Sequence, residues 1–236
     1  MNGHGGGSVR MGAPLTEGVK YLLIWNGIFY LLQHFIVPGR ALLDGMRIEQ
    51  LLGIVPILVW KKLFIWQIAT YMFLHGGMFH ILFNMFALSM FGSDMERLWG
   101  TRRFLIYYFF TGIGAGLMTV VFTPNSVVPT IGASGAVYGL LLAYAIYFPE
   151  RRIFLYFLIP VPVRLFVVIF GIIALLSSIT SAGGGVAHLA HLGGLVFGWI
   201  YLKWAGNAIA KWQTSRKRRH LHVVDFDDDD DRFRKH

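Results

Sequence analysis

Six stretches of this chain run apolar for about the length that crosses a lipid bilayer: residues 21–37, 77–93, 104–122, 133–148, 163–180 and 187–204. A spanning helix needs ~20 mostly apolar residues, within a range of about 17–25. The runs are continuous and do not alternate with a period of two, which points to helices and not to barrel strands. With 56% hydrophobic and 14% charged residues, the chain is too apolar for an ordinary soluble domain. The expected fold is all-α: a polytopic membrane protein with a bundle of six transmembrane helices.

Charge gives the organisation. All but four of the 21 lysines and arginines fall in the N-terminal tail, the second-to-third and fourth-to-fifth connections, and the C-terminal tail. The four exceptions, Arg40, Arg47, Lys61 and Lys62, lie in the first loop. By the positive-inside rule both termini are expected to be cytoplasmic. Residues 1–19 then form a cytoplasmic tail, polar and Gly-rich, without the pattern of a cleavable signal. Residues 20–204 form the six-helix domain, and 205–236 a charged cytoplasmic tail.

Loop 38–74 is expected to associate with the membrane. Its run LLGIVPILVW (51–60) is too short to span and contains Pro56, and Trp60, Trp66 and Tyr71 suit the headgroup level. Stretch 123–131 turns apolar before the fourth helix, and Pro124 and Pro129 prevent it from being helical. The basic run 216–219 suits anionic lipid. Membrane lipids are therefore an expected partner, and nucleic acid is not.

The acids define what the chain does not do. Six of the twelve lie in the C-terminal tail, and none lies deep in an apolar run. An aspartyl protease of the membrane needs two such carboxylates, and a zinc protease needs His-Glu-x-x-His or a similar set, which is absent. There is no cysteine for thiolate chemistry. Neutral polar residues do occur in the apolar runs, where they are costly and are functional candidates by default.

GASG (132–135) puts Ser134 between glycines at a helix start, where free backbone N–H groups suit a developing oxyanion. His191, on the sixth segment, can act as a neutral general base for a serine hydroxyl. His80 and Asn84, four apart, share a helix face and offer uncharged donors. Each has an ordinary explanation when taken alone: a helix N-cap for Ser134, interhelix hydrogen bonds for the others.

As a set the residues say more. HGGMFHILFNM (75–85), GASGAVYGL (132–140) and AHLAHLGGLVFG (187–198) resemble the rhomboid family of intramembrane serine proteases, over residues 20–204. The resemblance implies a serine endopeptidase with a Ser134–His191 dyad and no cofactor or metal. By the same resemblance His80, Asn84 and Gly132 belong to the oxyanion hole. Tyr138 supports the histidine, and Gly194 and Gly198 support its helix. Glu96–Arg97 also fits the family. The substrates implied are single-pass transmembrane proteins cut near the outer face. The minimal six-helix form and the lack of a targeting-peptide pattern point to a prokaryotic plasma membrane. The loop SAGGGVA (181–187) is a candidate mobile cap. One departure is Trp66–Gln67, where the family often carries Trp-Arg, so the anchoring of the first loop is expected to differ. Two other readings stay open: a catalytically silent rhomboid-like protein that binds membrane clients, and a transporter or metal binder using His75, His80, His188 and His191.

Overall fold

The computed structural model describes residues 14–43, 45–155, 159–180 and 188–204. The expected cap at 181–187 and the charged tail from 205 lie outside them. The chain divides into units Met1–Tyr201 and Leu202–His236. Of the second, residues 202–204 are described and are helical; everything below concerns the first.

Each of the six apolar runs is helical. Helix α1 (Glu17–Leu31) continues through a π-helical turn, Leu32–Ile36. The first loop carries three short helices, α2 (Ile48–Leu52), α3 (Pro56–Lys62) and α4 (Gln67–Thr70), the last followed by a tight turn, Tyr71–Phe73. The second apolar run holds α5 (Met78–Ala87), which passes through a π turn, Leu88–Gly92, into α6 (Ser93–Trp99). Then come α7 (Thr101–Phe122), α8 (Ser134–Tyr147) and α9 (Val163–Thr180), and α10 covers 188–204. Among the described residues only α7 is by itself long and apolar enough to cross a bilayer. Segments Gln67–Phe73 and Met78–Trp99 pass that test as a pair bent by 96°.

The structure is mostly helical, in line with the all-α expectation, and a short hairpin is added to it. Strands β1 (Arg152–Leu155) and β2 (Ile159–Pro162) pair antiparallel between α8 and α9, with Arg152 opposite Pro162 and Leu155 opposite Ile159. Proline is tolerated here because the two-stranded ribbon has only edge strands.

Helix α8 is packed backbone-close on both sides. Toward α7, a Cβ on Gly135 would stand 2.7 Å from Ala115 Cβ, and one on Gly139 would stand 2.7 Å from Thr111 Cβ. Toward α10, a Cβ on Gly194 would overlap the Gly135 carbonyl oxygen, and one on Gly198 would stand 3.3 Å from Gly139 Cα. Small residues on three helices thus let main chains touch, which is how helices associate where lipid removes the hydrophobic drive.

The first loop is anchored to this core. Ile54 and Thr130 exchange backbone hydrogen bonds of 2.9 and 2.8 Å, tying the loop to the extended stretch before α8. Gln67 is buried; its Oε1 accepts from Val55 N–H at 2.9 Å, and its Nε2 donates to the Gln50 carbonyl at 2.7 Å. A glutamine therefore holds the loop through its own amide at the departure noted above. Trp60 and Trp66 are exposed, and their indole N–H groups donate to the Val120 and Leu51 carbonyls. Tyr71 is not: it is buried and donates to the Gly112 carbonyl at 2.7 Å, so it is a core staple and not an interfacial anchor.

Glu96 is also buried, at 3% exposure, just past the apolar run. Its carboxylate accepts from Thr16 Oγ1, Thr101 Oγ1 and the Gly18 and Val19 N–H groups, at 2.5, 2.7, 2.8 and 2.9 Å. Two otherwise unpaired first-turn amides of α1 are thereby capped from a different helix. Burial alone raises this carboxyl, but the four hydrogen bonds together outweigh it and hold the pKa below the ordinary value. Beside it, Asp94 accepts from Tyr144 Oη at 3.1 Å and pairs with Arg97 and Arg151.

Candidate active site

Ser134 is the first residue of α8. Ala133 holds the N-cap position, so the serine oxygen is not engaged as the cap. It lies instead 2.8 Å from His191 Nε2 on α10. The backbone contact of Gly194 with Gly135 brings these helices close enough for that pair to form. Tyr138, one turn beyond Ser134, stacks on the His191 ring at 4.3 Å between centroids and 7° between planes. Its face fixes the ring's plane. His188 meets the same imidazole edge-on at 6.0 Å.

Gly132 sits two residues before the serine with φ +127°, a conformation that side chains other than glycine's rarely adopt. Its N–H donates to the Tyr71 carbonyl at 2.9 Å, so that donor is already engaged. What Gly132 offers is space. A Cβ there would stand 2.8 Å from His80 Nε2 and 3.7 Å from Ser134 Oγ. One small gap is therefore bordered by both side chains.

His80 is set by the turn that opens α5. Its Nδ1 accepts from Gly76 N–H at 3.3 Å, which leaves the proton of a neutral ring on Nε2, the nitrogen beside that gap. Asn84, buried one turn further, donates one Nδ2 hydrogen to the His80 carbonyl at 2.9 Å and keeps a second.

Three residues beyond the sequence-derived set join them. His75, named above only for the metal-binding reading, is fully buried with its ring 5.0 Å from that of His80. Gln33, from the π turn after α1, accepts from His75 N–H, and Glu49, from α2, accepts in turn from Gln33. Gln33 lies inside an apolar run, so the criterion that singled out His80 applies to it equally. Among the described residues, no three His, Asp or Glu side chains cluster so as to hold a metal ion.

The family model described as Rhomboid domain matches residues 63–207, more than half of the chain. The chain belongs to the rhomboid family. Rhomboid protease GluP of Bacillus subtilis (strain 168) is 33% identical over 136 residues, 57% of this chain and 25% of that protein. Rhomboid protein 1, mitochondrial, of Saccharomyces cerevisiae is 31% identical over 158 residues, covering 62% of this chain and 43% of the relative. Inactive RHOMBOID-like protein 8 of Arabidopsis thaliana is 38% identical over 88 residues, 36% and 24% of the two chains. The chain spans less than half the length of each of these relatives. As a rhomboid it is an integral membrane protein, mostly helical, of a protease family that also includes a member named as inactive.

Proposed function

We propose that this rhomboid is an active intramembrane serine endopeptidase. The observation that carries the reading is the 2.8 Å contact between Ser134 Oγ and His191 Nε2, with the imidazole plane held by Tyr138. A serine within hydrogen-bond reach of a base that is itself oriented by a third group is the arrangement nucleophilic catalysis needs.

In the proposed reaction Ser134 Oγ bonds to the scissile carbonyl carbon while its proton passes to His191 Nε2. The carbonyl oxygen becomes an oxyanion in the gap left by Gly132. There it accepts from His80 Nε2–H, from the remaining Asn84 Nδ2–H, and from the Ser134 backbone N–H. The C–N bond then breaks, His191 returns the proton to the leaving amine, and water hydrolyses the acyl-enzyme by the same steps. Every group in the scheme is neutral before attack. That suits a site where a buried charge would be costly.

The substrate class we infer is a single-pass transmembrane protein, unwound near its outer end so that a carbonyl can reach Ser134. We read the six helices as spans, with both termini cytoplasmic and a prokaryotic plasma membrane as the location. The second reading, a silent client binder, has the inactive relative in its favour. Against it stands a serine–histidine pair already in contact.

A fluorophosphonate or isocoumarin probe on the detergent-purified protein tests the choice. Labelling lost in both Ser134→Ala and His191→Ala is the expected result. A folded wild type that takes no label would transfer the reading to the silent binder.

A further inference from the structure

The oxyanion role given to His80 depends on which ring nitrogen carries its proton. A neutral imidazole donates from one nitrogen and accepts at the other. With the proton on Nδ1, Nε2 would present a lone pair to the oxyanion and repel it. Among the described residues only the Gly76 N–H at Nδ1 selects the useful tautomer, and at 3.3 Å that bond is near the limit of a good hydrogen bond. A slight shift of the turn His75–Gly77 would lose it. Two of the three residues in this turn are glycines, which do little to stiffen it.

Gln33 holds that turn from the side. It is 4% exposed and sits in the π turn that ends α1, a local distortion often found at functional sites. Its Oε1 accepts from His75 N–H at 3.0 Å, and its Nε2 donates to Glu49 Oε1 at 3.0 Å. The orientation of the amide is fixed by chemistry: a backbone N–H can only donate and a carboxylate can only accept. Glu49 therefore turns the amide, the amide fixes His75 N–H, and the next peptide N–H, that of Gly76, meets His80.

We propose that Gln33, oriented by Glu49, is a positioning residue that sets the His80 tautomer for oxyanion binding. This rests on the protease reading above. The effect falls on the transition state and not on substrate binding, because the oxyanion exists only there. Deleting an oxyanion donor outright costs about 10²–10³ in kcat, and an indirect loss of its orientation should cost less, on the order of tenfold.

Exchanging the two partners tests this beyond simple packing. Gln33→Leu is expected to lower kcat about tenfold with KM nearly unchanged. Gln33→Glu alone sets two carboxylates together and should also impair turnover. The exchange Gln33→Glu with Glu49→Gln restores one acceptor toward His75 N–H and one donor between the pair, so it should recover most of the activity. An exchange variant no better than Gln33→Glu, or a folded Gln33→Leu with unchanged kcat, would overturn the proposal. A second readout needs no turnover. ¹⁵N NMR of labelled histidine, with the His80 signal assigned by His80→Gln, should show an Nε2–H ring in the wild type and a mixed or reversed tautomer in Gln33→Leu. An unchanged tautomer would reject the positioning role even if the protease reading survives. A shifted tautomer would support it even if the protein proves inactive.

Discussion

The two ends of the helices that build the site use opposite chemistry. At one end, where α5 and α8 begin, Ser134 meets His191, and His80 and Asn84 lie on the same helix turn across the Gly132 gap, all four uncharged side chains. At the other end, α6 and the close of α8 bring together Asp94, Glu96, Arg97, Tyr144 and Arg151. The charged end fixes helices to one another through paired and fully hydrogen-bonded ions, whose cost is tolerable only when each partner is present. In the proposed reaction the groups at the neutral end gain and lose charge, so none of the reacting side chains carries one at rest; the nearest carboxylate, Glu49, is held off by Gln33. Anchoring and chemistry are thus separated along the same helices.

Substitutions at each end sharpen that contrast, and the neutral end should show the larger effects on turnover. Ser134→Ala or His191→Ala should reduce hydrolysis of a transmembrane substrate by more than ~10³-fold with little change in thermal stability, since members of a catalytic pair act as a unit. Gly194→Ala should come next. Its Cβ overlaps the Gly135 carbonyl, so α10 must move off α8, and a shift of about 1 Å can cost on the order of 10² in rate. The control is Gly27→Ala, which meets nothing within 4 Å and should leave the rate unchanged and the melting temperature the same or slightly raised, since alanine favours a helix interior over glycine. Tyr138→Ala should slow turnover by roughly tenfold through loss of the stacked ring, whereas Tyr138→Phe keeps the ring face and should be close to wild type.

At the charged end the sign of the experiment reverses. Glu96→Gln should lower stability by about 1.5–3 kcal/mol, the range for a hydrogen bond to a charged group, while the folded fraction keeps its kcat. The pH dependence follows from the depressed carboxyl. Its contribution is present above the ordinary value of 4.5 and is lost as pH falls through the lower, folded value. Acid melting curves of wild type and Glu96→Gln should therefore converge below pH 4.5. A large fall in kcat for Glu96→Gln, with stability intact, would break the division between the two ends.

Much of this was legible in the chain itself. The six apolar runs fall on helices because length and continuity alone specify them. Ser134 and His191 could be paired only through the joint pattern, since each has an ordinary local explanation and their contact joins residues 57 apart. Other features depended on partners that no local pattern reveals. Glu96 lies outside the apolar runs, and its burial comes from the first turn of α1. Tyr71 reads as interfacial until α7 covers it. The hairpin 152–162 reads as a connection because its strands are four residues each and one carries two prolines. Gln33 was within reach of the rule that selected His80, but its partners come from two other elements.

The contact of Gly194 with Gly135 has a consequence for how a chain of this fold can diverge. The separation of serine and histidine is inherited from two main chains and not from the shapes of the side chains around them. Side chains facing a substrate can then be exchanged over generations without detuning the reaction, provided two small positions are kept. Positions 135 and 194 are therefore the ones expected to stay small while the rest of the sequence drifts.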